Sequence, residues 1–287
     1  MSPKDEIDDT SAPLIEHLAE LRTRLIYSVL AFTICMLLCF TVARPIFNFL
    51  AEPLSRLLIA NGQHPELIFT GLQQGFMTQV RIAIFGGFCV SFPVIGYQLW
   101  RFVAPGLYRS EKNAFLPFLL ASPILFLIGA AFAYYVVLPL AFDFFLGFQQ
   151  FGPGGTELGQ VEPGADLNVQ FLGTINEYLG LTMKFVIAFG LCFQLPVLLT
   201  LMGKAGLVSA GGLADMRKYA VVGILVLAAI VTPPDVVTQV ILFVVVFGLY
   251  EISIWLVRWV EKRREAELKA QGLWDEEIHA PPSKDDT

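Results

Sequence analysis

Nineteen consecutive residues without a charge, Leu25–Ala43 (LIYSVLAFTICMLLCFTVA), constrain this chain more than any other feature. As a helix they are about 28 Å long at 1.5 Å per residue, and a bilayer's hydrocarbon core is about 30 Å thick. A helix that is apolar all round aggregates in water. In lipid it satisfies every backbone group internally. Further predominantly apolar stretches follow at about 80–99, 114–138, 178–202, 219–231 and 237–257. Arg81 and Lys184 lie near the ends of two of these, where long basic side chains can snorkel to the interface. Only 15% of the residues are charged, against about 25% for a soluble domain. The pattern predicts an all-α polytopic membrane protein with six transmembrane helices.

Lys and Arg placement sets the orientation. Six spans put both termini on one side, and that side receives 15 of the 19 basic residues. The other receives Arg44, Arg56, Arg81 and Lys184. Both termini are therefore expected in the cytoplasm. Tyr97, Trp100, Tyr219, Trp255 and Trp259 fall at the predicted cytoplasmic ends, and Tyr134, Tyr135 and Tyr178 near the outer ends, as interfacial belts require.

The last two spans are short. Tyr219–Pro234 and Val236–Tyr250 are joined by TPPDVV, whose double proline forces a turn. The fifth span's core, Tyr219–Val231, is roughly 20 Å long. Either this hairpin stops short of the far surface, or the bilayer thins around it, or it packs as a re-entrant hairpin inside the bundle.

Two outer loops are expected to be structured. The first, about 44–79, holds RPIFNFLAEPLSRLL, an amphipathic helix interrupted near Pro53. The second, about 145–176, has a Gly/Pro-rich middle, followed by VQFLGTINEYLG, which reads as an interfacial helix leading into span four. Their apolar faces fit caps on the membrane surface, and equally fit plain packing lids. Residues 1–260 read as one membrane domain, and 261–287 as a charged cytoplasmic tail that is largely disordered.

Several chemistries have no signature. Cys35, Cys39, Cys89 and Cys192 sit inside apolar runs and read as small buried hydrophobes. His17, His64 and His279 are scattered, which argues against a metal site. The N-terminus MSPKDEIDDT is acidic, unlike a cleavable signal peptide. There is no GxxxxGK[ST], no GxGxxG opening a helix, no HExxH and no GxSxG. Ion-coupled carriers place ionisable groups near the midplane, whereas the deepest polar residue here is the neutral Gln194. The reading is no enzyme, no cofactor and no nucleic-acid partner. A secondary transporter of small solutes and a scaffold for other membrane subunits stay open as alternatives.

Five strings in order, HLAELRTRL (17–25), SFPVIGYQLWRFVAPGLYRSEK (91–112), IGAAFAYYVVLPLAF (128–142), AFGLCFQLPV (188–197) and TPPDVVTQ (232–239), resemble the TatC family of the twin-arginine protein translocase. The similarity covers about residues 11–260. It implies a receptor for folded proteins whose signal peptide carries two consecutive arginines. It also implies single-span TatA- and TatB-type partner subunits, a homo-oligomeric receptor complex and transport driven by the proton-motive force.

Carried over by position, the implied signal-peptide contacts are Glu20, Arg22, Phe102, Pro105, Leu107 and Glu111. The resemblance also implies partner- or transport-related roles for Pro53, which matches a sensitive proline of the first outer loop, and for Asp235, which falls in the outer turn between spans five and six. Gln194 stands where many relatives carry Glu, so the resemblance implies a hydrogen-bonding role there rather than an ionisable one. The chemistry agrees: two adjacent guanidiniums need carboxylates that accept forked, charge-assisted hydrogen bonds, and Glu20 and Glu111 can supply one each.

Overall fold

A computed structural model describes residues 3–60, 64–103, 116–150, 173–233 and 235–270. Among the described residues, six helical segments run through the bundle. Five stretches of the described residues are long and apolar enough to cross a membrane: Leu18–Thr41, Gln74–Phe102, Leu120–Gly147, Ile175–Lys204 and Val236–Ala266. The first belongs to α1 (Pro3–Thr41) and the second to α3 (Gln74–Val103). The third combines α4 (Leu116–Phe132), a π-helical turn (Ala133–Val137) and α5 (Leu138–Gln150). The fourth combines α6 (Ile175–Cys192) with α7 (Leu195–Lys204).

A six-residue helix, α8 (Ala210–Asp215), precedes the fifth crossing, α9 (Arg217–Val231). At 15 residues α9 is about 22 Å long. Thr232 turns extended (ψ 153°) to end it, as the residue before Pro233 should. The sixth helix, α10 (Val236–Ala270), is different. Its uncharged part ends at Tyr250, yet the helix runs on through the basic segment to Ala270. What is short there is the run without a charge, not the helix.

In lipid, helices gain nothing from hiding apolar surface, so association depends on close packing. Two crossings show how the sequence supplies it. A Cβ on Gly87 of α3 would lie 2.7 Å from the Met36 backbone of α1. A Cβ on Gly129 of α4 would lie 2.6 Å from the Phe189 carbonyl of α6, and one on Gly190 2.6 Å from the Phe126 ring. The buried centre is built from Phe126, Val137, Leu138, Phe185, Phe189, Leu242 and Val246. α1 lies outside it. It packs along α3 and leaves Leu25, Ile26, Val29, Leu30, Leu37 and Leu38 exposed.

Two crossings are broken, each at a proline. Pro139 has no N–H to give Tyr135, and its ring would press on that carbonyl. The preceding turn widens instead, with Leu138 N–H donating to Ala133 O five residues back. In the fourth crossing Pro196 cannot bond Cys192. Phe193 (ψ −7°) and Gln194 (ψ −14°) flatten into a turn, with Gln194 N–H on Leu191 O at 2.9 Å.

The side opposite the termini, here the far side, departs from the sequence reading twice. α2 (Ala43–Ala60) is continuous through Pro53, not interrupted there. Its neighbours absorb the missing hydrogen bond, as described below. The interfacial helix expected from Val169 onward also does not extend through Gly173 and Thr174. These form β2, paired in parallel with β1 (Leu67–Ile68) in the register Leu67↔Gly173 and Ile68↔Thr174. The pairing ties the first far-side loop to the entrance of α6, and the helix starts only at Ile175.

Candidate functional site

On the terminal side, α1 carries Glu20 and Arg24 one turn apart. Arg24 donates from both Nε and Nη2 to Glu20 Oε1. Glu on the N-terminal side of Arg at i,i+4 is the favourable order on a helix. The pair sits on the stripe of α1 that packs toward α3. Ser28, Ala31, Phe32, Cys35 and Cys39 continue it, and all are half-buried or buried. Arg24 is 14% exposed and Glu20 32%, whereas Arg22, two residues along, is exposed on another face.

The α1–α3 register locates this carboxylate. Met36 meets Gly87. Sixteen residues back along α1 is Glu20, and sixteen forward along the antiparallel α3 is Val103. Both lie about 24 Å from the crossing, toward the terminal side. Glu20 is therefore level with the end of α3 and with half-buried Phe102. Pro105, Leu107 and Glu111 lie outside the described residues.

Gln194 sits at the break in the fourth crossing, and its amide is engaged within the chain. Its Oε1 accepts from Ser122 Oγ at 2.8 Å, and its Nε2 donates to Ser122 O at 2.8 Å. Ser122 Oγ in turn accepts from Trp100 Nε1 at 3.1 Å. This chain links α3, α4 and the α6–α7 joint through groups that would be costly to leave unpaired in an apolar interior.

Pro53 leaves one carbonyl of α2 without its helical donor. A proline in a helix leaves the carbonyl four residues earlier without its donor, here that of Phe49. Tyr134 Oη donates to Phe49 O at 2.5 Å, and its ring stacks on Phe49 at 4.5 Å. Tyr178 Oη donates to the next carbonyl, Leu50 O. The far-side helix is thus clamped to the π-helical turn and to α6.

Asp235 is buried and caps α10. Its Oδ2 accepts from Thr238 N–H at 2.7 Å and its Oδ1 from Thr238 Oγ1 at 2.6 Å. That is the helix N-cap arrangement, and it satisfies one of the open N–H groups of the first turn.

Three aromatics depart from the belt reading. Trp100, Tyr134 and Tyr178 are buried, with their donors used inside the bundle. Tyr97, Tyr135, Tyr219, Trp255 and Trp259 are exposed, as a belt requires. Sequence reading also missed the contacts that fasten α8 and α9 to α10. Glu261 Oε1 accepts from Ala210 N–H at 2.9 Å, and Tyr250 Oη donates to Leu213 O at 2.7 Å. Arg217 forks onto Glu251 at 2.7 and 2.9 Å. The loop before α8 begins with Gly206 in the left-handed region (φ 74°), closing α7 with Leu207 N–H on Met202 O.

Comparison with known proteins agrees with this architecture. The family described as "Sec-independent protein translocase protein (TatC)" matches residues 16–244. The TatC protein of Magnetococcus marinus is 43% identical over 284 residues, covering 96% of this chain and 98% of that protein. The TatC protein of Aquifex aeolicus is 40% identical over 258 residues, covering 90% and 100%. A crystal structure described as the twin arginine translocase receptor TatC superposes with a TM-score of 0.70 at 38% identity. It covers 85% of this chain and 99% of that one. With its six crossings, its ordered far-side helix and this likeness along nearly its whole length, the chain belongs to the TatC family of Sec-independent protein translocase proteins.

Proposed function

We propose that this chain is the receptor subunit of a twin-arginine translocase. It binds the paired arginines of a signal peptide on its cytoplasmic face. With TatA- and TatB-type single-span subunits, and as a homo-oligomeric receptor complex, it exports folded proteins on the proton-motive force. In this reading it is a multi-pass protein of the cytoplasmic (inner) membrane with both termini in the cytoplasm, in line with the basic residues gathered on the terminal side. Residues 1–260 form the membrane domain, and 261–287 a cytoplasmic tail.

The observation that carries the reading is Glu20. It is a carboxylate kept one-third exposed, level with the end of α3, and already holding a guanidinium. A site that accepts one guanidinium in forked geometry has the chemistry to accept another. Arg22, Phe102, Pro105, Leu107 and Glu111 complete the proposed binding face, with Glu111 taking the second arginine.

The test is binding of a twin-arginine peptide to the purified chain in lipid nanodiscs. Binding should weaken strongly when the peptide arginines become lysines, and again in Glu20→Ala with Glu111→Ala. Undiminished binding in the double variant sinks the reading. Uptake of a small solute by liposomes holding this protein alone would favour a carrier instead.

A further inference from the structure

We propose that the terminal-side parts of α9 and α10 together bind the headgroup of an anionic phospholipid, with Arg217, Lys218, Arg258 and Lys262 gathered around its phosphate. The inference needs only that the chain spans a bilayer. It stands apart from the signal-peptide reading.

Depth is the first argument. Tyr219 and Trp255 are exposed aromatics, one on each helix, and such rings settle at headgroup level. On α9, Arg217 and Lys218 are the two helical residues on the water side of Tyr219. On α10, Arg258 and Lys262 lie three and seven residues beyond Trp255, about 4 and 10 Å at 1.5 Å per residue. The polar layer on each side of the hydrocarbon core is about 5–8 Å deep. All four side chains are exposed, and all four start at phosphate depth or within a side chain's reach of it.

Placement is the second. Glu251, Trp255, Arg258 and Lys262 share one stripe of α10, at i, i+4, i+7 and i+11. Ser253 and Val257 are buried on the opposite face. Arg217 crosses to that stripe and forks onto Glu251. The first turn of α9 is thereby held beside the stripe, so two cations from each helix border one outward-facing patch.

Charge is the third. Glu251 is taken by Arg217, and Asp215 at the end of α8 lies within electrostatic reach of the same guanidinium. Glu261 and Glu265, also on α10, are engaged with Ala210 N–H and with Lys269. Neither Arg258 nor Lys262 has a hydrogen-bond or ion-pair partner among the described residues. Four cations thus face two carboxylates, and positive charge is left over where lipid phosphates lie. A headgroup with net negative charge answers that excess, whereas a zwitterionic one brings its own cation.

The experiment equilibrates the full chain in detergent micelles with phosphatidylglycerol and phosphatidylcholine of matched chains. Native mass spectrometry reads the ratio of the two lipids retained. The unaltered chain should prefer phosphatidylglycerol. Arg258→Gln and Lys262→Gln should each lower that preference by about fivefold, the weight of one basic residue at an anionic surface. Arg258→Lys should keep most of it. Lys262→Gln changes an exposed helical position and carries the test if Arg258→Gln does not accumulate. Arg264→Gln removes the same charge from the part of α10 that lies against Gly206, and should leave the preference unchanged.

No preference in the unaltered chain overturns the proposal, and so does an unchanged ratio in the glutamine variants at 258 and 262. An equal fall in Arg264→Gln does the same, because net charge alone would then explain it. Displacement of phosphatidylglycerol by inorganic phosphate at the lipid's own concentration would make this an ion site and also overturn it.

Discussion

Tyr134 donates its hydroxyl proton to the carbonyl of Phe49, the group that Pro53 deprives of its own helical donor. A proline that should break α2 instead becomes the means by which α2 is fastened to the third crossing. Tyr134→Phe leaves a buried carbonyl without a partner, and should cost about 1–3 kcal/mol in thermal or denaturant unfolding in detergent. Pro53→Ala returns a donor to the same carbonyl, so Tyr134→Phe should cost less in that background. Strict additivity of the two changes would mean that Pro53 does not act through Phe49.

The Ser122 hydroxyl sits between Trp100 and Gln194, and truncating it strands both. Ser122→Ala should destabilise by about 1–3 kcal/mol. It should also shift the Trp100 contribution to the fluorescence spectrum, read as a difference against Trp100→Phe. Gln194→Leu in the Ser122→Ala background should add less than it does alone. Full additivity would dissolve the network. Export should then be measured in Gln194→Asn, a shorter amide that cannot reach both Ser122 groups. If export falls while stability holds, Gln194 also serves a partner or substrate helix.

Much of the fold was legible because lipid imposes a single rule, long uncharged helices, and 25–43 or 82–99 obey it without ambiguity. The break in the fourth crossing was not legible. Pro196 looks like any proline inside a span, and only the structure gives the flattening at Phe193 and Gln194. Trp100, Tyr134 and Tyr178 stand at span ends whether they face lipid or the core, so spacing could not separate a belt residue from an inward donor. Asp235 was readable in principle. An Asp three residues before Thr, ahead of an apolar run, is an N-cap signal. Within the site, the i,i+4 spacing of Glu20 and Arg24 was visible, but choosing Arg24 over Arg22 as partner required knowing which stripe of α1 turns toward α3.

Asp235 as an N-cap makes a separable prediction. Asp235→Asn keeps an acceptor for Thr238 N–H and should cost little, whereas Asp235→Ala should cost about 1 kcal/mol and fray the first turn of α10. The fraying should appear as faster amide exchange at Val237–Gln239. If Asp235→Asn exchanges like the unaltered protein yet loses export, the charge itself has a role beyond capping.

The two faces of α9 differ enough to predict where a partner helix would touch it. Val222, Val226 and Ile230 form an exposed stripe at i,i+4 spacing, while Ile224 and Ala228 are buried against the bundle. Single cysteines at the three exposed positions should crosslink to a TatB-type subunit in membranes, and cysteines at Ile224 and Ala228 should not. A uniform lack of adducts would mean that lipid alone covers α9. The short length sharpens this. A 15-residue helix leaves a deficit of about 8 Å against a hydrocarbon core of about 30 Å, and a partner helix or a thinned bilayer must absorb it. Reconstitution in lipids of increasing chain length distinguishes the two. If thinning dominates, unfolding should become easier in thicker bilayers whether or not the partner is present. If the partner covers the deficit, its addition should remove that thickness dependence.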